Sequence, residues 1–308
     1  QRQMCIRDRT MAVFEYLRET ILGLGKQLKW SYLPPLMVYV AAGIAGLTGI
    51  VGTFFIKEYL DLSAAFLAGL GFWAGLPWAL KMPLGHIVDL VWKHKNYLVY
   101  CGASIITSSL LIMYGLIAHT STMANFLSVE TWFVLSVILT PVGYVIQDVV
   151  ADAMTVEAVP LEDKNGQKFS PKVIKEMHMT MQTLGRFAII GGTVFVGLIN
   201  VILFQGVETL SEKEKIQLYA SIYLWALIIP LISVLGVFLA NNLKKQRHKS
   251  NLANNNRGLS DNNLEERPEV NWTILLGSFI FVLFSLSVGL FLSLIHISEP
   301  TRPERIAV

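Results

Sequence analysis

Seven stretches of the chain are continuously apolar: 33–56, 63–84, 97–117, 130–157, 177–204, 217–240 and 271–291. About twenty residues at 1.5 Å rise cross a ~30 Å hydrocarbon core, so each stretch predicts a membrane-spanning helix. The strict apolar–polar alternation of a membrane barrel does not recur. A helix satisfies its own backbone hydrogen bonds in lipid, which makes it the spanning element to expect here. The expected fold class is therefore an all-α membrane protein. A six-helix transmembrane bundle covers 33–240, and a seventh helix at 271–291 stands without natural partners.

The polar positions between the runs set the orientation. With the N-terminus on the cytoplasmic side, fifteen Lys and Arg fall in the lead-in and the loops on that face. Only Lys57, Lys213 and Lys215 fall on the other. Lys and Arg accumulate on the cytoplasmic side of membrane proteins, so the N-terminus is expected inside, in an inner or plasma membrane. Residues 241–270 are polar and Asn-rich and predict a cytoplasmic linker. Residues 10–32 form a cytoplasmic lead-in. There Val13, Phe14, Leu17, Ile21 and Leu24 share a face that could rest on the membrane surface.

Composition agrees with this reading. The chain is 53% hydrophobic and 15% charged, far below the charge content of soluble domains, with a formal net charge of +3. That balance gives no basic excess for nucleic acid. Of the two cysteines, Cys101 alone lies outside the first nine residues, so neither a disulfide framework nor a Cys-based metal site is expected. The ends read differently from the middle. "QRQMCIRDR" (1–9) and the string opening with "LSLIHISEPTR" (292–308) back-translate to adaptor-like DNA that is in part reverse-complementary. Both are expected to be scars rather than native ends, and the remaining chain is expected to be a fragment of a longer protein.

The candidate chemistry lies in charges that interrupt apolar runs. Asp148 and Asp152 are four apart in "YVIQDVVADAMTVEA" and share a helical face, whereas Glu157 is rotated away. An ionised acid at that depth is costly unless paired or wetted. Lys81 and Arg186, the cations within spans, would sit at comparable depth, so a charge network of Asp148, Asp152, Lys81, Arg186 and Glu157 along a polar pathway is expected. The competing reading is a solvated helix end. Gly85-x-x-x-Asp89 followed by Lys93 and Lys95 lies between the second and third spans. There a small residue allows close approach and a carboxylate can meet a helix N-terminus or a base. Gly43, Gly46, Gly49 and Gly52 recur every third residue and predict close helix packing. Tyr39, Gln182 and Trp225 are candidates for lining a cavity. No histidine has a second ligand at helical spacing, so no metal or other cofactor is expected.

Gly85, Asp89, Lys93 and Lys95 resemble the loop motif of the major facilitator superfamily. "PWALKMPLG", Asp89 and "DVVADAMTVE" together are similar to the folate–biopterin transporter family, through Pro77, Trp78, Lys81, Gly85, Asp89, Asp148, Asp152, Ala153 and Glu157. "MQTLGRFAIIGG" adds Gln182, Arg186, Gly191 and Gly192. Met82 departs from the family pattern, in which proline follows the lysine directly, and the loop lacks the family's paired arginines. "IQDVVADA" also fits muropeptide permeases of the same superfamily. The resemblance implies the N-terminal half of a secondary transporter that moves a small polar or anionic solute, with a coupling proton and a missing C-terminal six-helix half as partners. An intramembrane aspartyl protease needs carboxyls facing each other from different helices, and Asp148 and Asp152 share one, so no enzyme is expected. A structural or receptor-like membrane protein is the remaining alternative.

Overall fold

A computed structural model of the chain describes Gly23, Gly25, 28–55, Tyr59, 62–162, 167–254 and 270–298. The lead-in face from Val13 to Leu24, residues 1–9, the 255–269 half of the 241–270 linker and the last ten residues lie outside the described residues.

The chain is an all-α membrane protein. The described residues form α1 (Leu33–Gly43), α2 (Gly49–Phe55), α3 (Ala64–Ala79), α4 (Lys81–Leu90), α5 (Lys95–Ala118) and α6 (Thr120–Ala124). After these come α7 (Val129–Ala158), α8 (Pro171–Leu203), α9 (Glu212–Trp225), α10 (Ile228–Asn254) and α11 (Trp272–Ser298). Among them no strand occurs beyond an isolated bridge, Glu162 to Lys168. Serine hydroxyls cap the N-termini: Ser63 accepts from the Phe66 N–H, Ser128 from Thr131 and Ser170 from Val173. Ser211 opens α9 in a capping box with Glu214.

Among the described residues six helical segments are long and apolar enough to cross a membrane: Trp30–Thr53, Trp92–Ala118, Val129–Ala158, Pro171–Thr209, Glu212–Gln246 and Trp272–Phe291. The expected span at 63–84 is not one continuous helix. It divides into the 16-residue α3 and the 10-residue α4, with a turn at Leu80. Pro83 has no N–H to donate to the Ala79 carbonyl, so the ladder fails where the hydropathy runs on. Pro230 does the same to Ala226, and the span expected at 217–240 bends between α9 and α10.

Small residues set the tightest crossings. Where α5 meets α7, a Cβ on Gly143 would stand 2.8 Å from the Gly102 carbonyl oxygen and 2.7 Å from Ile106 Cγ1. Further along that seam Ser109 donates to the Ser136 carbonyl at 2.8 Å, Ser136 returns the bond at 3.0 Å, and Thr140 closes the group at 2.6 Å from Ser109. Where α1 meets α8, a Cβ on Gly192 would stand 2.9 Å from Gly43 Cα. Of the four regularly spaced glycines only Gly43 makes so close an approach; Gly49 has nothing within 4 Å. Residues Ile44–Thr48 between α1 and α2 form a 3₁₀ helix, whose three residues per turn eclipse positions three apart. Of the four glycines only Gly46 falls in that segment, so the spacing of three marks neither one continuous stripe nor one helix type.

Helix α11 packs only lightly, against α3 and α4. Eleven per cent of its apolar window is buried, compared with 39% in the first span and 44% in α7. The helix runs on past Phe291 to Ser298.

Candidate functional site

Helix α7 carries Asp148 and Asp152 one turn apart, and the break at Leu80 starts α4 with Lys81 directly opposite. Lys81 Nζ lies 2.5 Å from Asp148 Oδ2 and 2.9 Å from Asp152 Oδ2. The Asp148 side chain is 12% exposed, while Lys81 and Asp152 keep 39% and 47%. The bridge is thus anchored at its buried end and open to solvent or solute at the other. From α1 the Tyr39 hydroxyl donates to Asp152 Oδ1 at 2.5 Å. The Tyr39 ring is buried against α8, where a Cβ on Gly185 would stand 2.7 Å from Tyr39 Cε2. Glycine at 185 makes room for that ring. Three of the four carboxylate oxygens of the aspartate pair are engaged in this way, and four helices meet at the cluster.

Arg186 does not join the aspartates. It is exposed on α8 and makes no ion pair among the described residues. Its neighbour one turn back, Gln182, is also exposed. Trp225 is 74% exposed at the end of α9, away from the cluster's helices α1, α4, α7 and α8.

Glu157, rotated off the aspartate face as its spacing required, has its own partners. It forms a salt bridge with Lys95 at the start of α5 and stands 4.0 Å from Lys244 Nζ on α10. Lys95 Nζ lies 3.5 Å from the centre of the Trp92 ring. Asn96 donates to Asn241 at 3.0 Å beside them, across a recess of ≈ 230 Å³ between α1, α5, α7 and α10. Glu157 therefore ties the end of α7 to two other helices.

The Gly85 motif packs α4 on α7: a Cβ there would stand 3.9 Å from Val149 Cγ1. Asp89 and Lys93 are exposed. Asp89 shares an open recess of ≈ 610 Å³ with Lys81 and Gly85, bordered by Ile274 and Phe281 of α11.

Over 151 residues the chain is 29% identical to a folate–biopterin transporter of Synechocystis sp.. The match covers 48% of this chain and 28% of that protein. No protein-family model and no solved structure matches the chain.

Two polar residues beside the cluster were not singled out from the sequence. Gln147 is fully buried next to Asp148; its amide donates to the Val99 carbonyl at 3.2 Å and accepts from Ser233 at 3.0 Å. A glutamine inside an apolar run was the available signal. His86 accepts from the Asn271 backbone N–H at 3.1 Å, and Asn271 in turn caps α11. That tie links residues far apart in sequence, and nothing local announces it.

Tyr39→Phe keeps the ring over Gly185 and removes the hydroxyl. Asp152 is half exposed and rehydrates, so the expected loss is about 1 kcal/mol, read as a lower melting temperature in detergent. Gly185→Ala, which drives a methyl into the ring, is expected to cost more. A Tyr39→Phe protein that melts with wild type would remove the hydroxyl from the cluster.

Proposed function

We propose that the chain is the N-terminal half of a secondary active transporter of the major facilitator type, moving a small polar or anionic organic solute by alternating access. The observation that carries this reading is the Lys81–Asp148–Asp152–Tyr39 cluster inside otherwise apolar helices. Ionisable groups are costly in a membrane and mark solute or proton paths when they persist there. The resemblance to a folate–biopterin transporter supports a folate- or pterin-like solute.

In this reading the N-terminus is cytoplasmic and a second six-helix half packs against the exposed faces of the bundle. The two halves rock around a central site. Lys81 holds the aspartates together in one conformation and releases them in another, with a proton taken up by one of them on release. The Glu157–Lys95–Lys244 clasp closes the lysine-rich end in the first conformation and parts in the second. Asp89, in the loop motif, governs the switch.

The test is uptake of radiolabelled folate and of biopterin by cells expressing the complete gene product. Asp148→Asn and Asp152→Asn are each expected to impair uptake, and a double swap with Lys81 to restore part of it. Asp89→Asn is expected to slow turnover more than it weakens binding. Normal uptake by both aspartate variants would reduce the cluster to a solvated helix end.

A further inference from the structure

Of the two cations that interrupt the expected apolar runs, Lys81 and Arg186, the cluster consumes only Lys81. Lys81 holds both aspartates, and Tyr39 holds a third carboxylate oxygen. Arg186 forms no ion pair with a carboxylate among the described residues. It is not a loop residue. The seventeen residues from Phe187 to Leu203 that complete α8 carry no charge, which puts about 25 Å of apolar helix beyond it. The buried stripe of α8, Met181, Gly185, Gly192 and Val196, faces α1. Arg186 and Gln182 lie beside that stripe, one turn apart and exposed. A guanidinium at the edge of a membrane core, without an ion pair among the described residues, calls for an anion.

We propose that Arg186, with Gln182 beside it, is the docking point for a carboxylate group of the transported solute. The inference rests on the transporter reading and names the solute's recognised group. A guanidinium presents parallel N–H donors that match a carboxylate's two oxygens, which an ammonium cannot reproduce. The Gln182 amide can donate to the same anion.

The experiment uses the complete gene product in phosphatidylcholine vesicles and measures modification of Arg186 by phenylglyoxal with mass spectrometry. Folate and glutarate, which carry carboxylates, are expected to protect Arg186, while biopterin, which carries none, leaves it reactive. Arg186→Gln is expected to raise the Kd for folate about tenfold or more, and Arg186→Lys to recover only part of the loss. Protection by glutarate without folate would keep the anion site and sink the folate-like solute. Uptake of neither solute, with protection intact, would separate failure of the transporter reading from failure of the site. Three results would overturn the proposal: no protection by either carboxylate, equal protection by biopterin, or protection by phosphatidylglycerol in the vesicle alone, which would make Arg186 a lipid-headgroup contact.

Discussion

Lys81→Met is expected to lower the melting temperature of the detergent-solubilised protein and to reduce its yield from membranes. Removing the ammonium leaves Asp148 and Asp152 one turn apart with no cation, and Asp148 is the buried member at 12% exposure. Breaking a fully buried ion pair costs about 3–5 kcal/mol, because the remaining charge is stranded. Lys81 and Asp152 are 39% and 47% exposed, so solvent offsets part of that, and about 1–3 kcal/mol is expected. The double variant Lys81→Met/Asp148→Asn removes the stranded charge as well and should melt above the single variant. Equal melting of Lys81→Met and wild type would show that the aspartates are satisfied by water alone.

Gly143→Val is expected to have the largest structural effect of any single change considered. Its Cβ would meet the Gly102 carbonyl oxygen at 2.8 Å and Ile106 Cγ1 at 2.7 Å. The isoleucine can rotate, but the carbonyl belongs to the backbone of α5 and cannot give without separating the helices. Separation would also stretch the serine bonds of the same seam and the Gln147 bond to Val99. Overpacking of this kind costs about 1–3 kcal/mol and more where backbone must move, so little folded protein should accumulate. Gly49→Ala is the contrast. Nothing lies within 4 Å of a Cβ there, and an alanine in a helix is favoured by about 1 kcal/mol over glycine. Its melting temperature should equal or exceed wild type. Size-exclusion profiles and thermal melts of the two variants decide the matter, and a monodisperse, wild-type-like Gly143→Val protein would mean that α5 and α7 do not cross at this pair.

Much of the fold was legible because membrane helices advertise themselves. The runs at 97–117, 130–157 and 271–291 appear as Lys95–Ala118, Val129–Ala158 and Trp272–Ser298, and hydropathy locates such segments whatever they pack against. The shared face of Asp148 and Asp152, and the turning away of Glu157, followed from 3.6 residues per turn alone. Hydropathy did not register Leu80 or the bend after Trp225, since a proline costs a backbone bond without making the run less apolar. The sequence contained both prolines, but weighing them against a continuous apolar stretch required the packed neighbours.

The sequence by itself determined that the aspartates needed either a cation or water at their own depth, and it offered Lys81 and Arg186 equally, because rise along a helix depends only on residue number. Only the tertiary structure decided between them. Which side chain meets which depends on the rotation of each helix about its axis, and that is set by the close approaches at Gly43, Gly185 and Gly192. The turn at Leu80 aims Lys81 at α7. The stripe that buries Gly185 against Tyr39 leaves Arg186 one residue further round, off the aspartates and open.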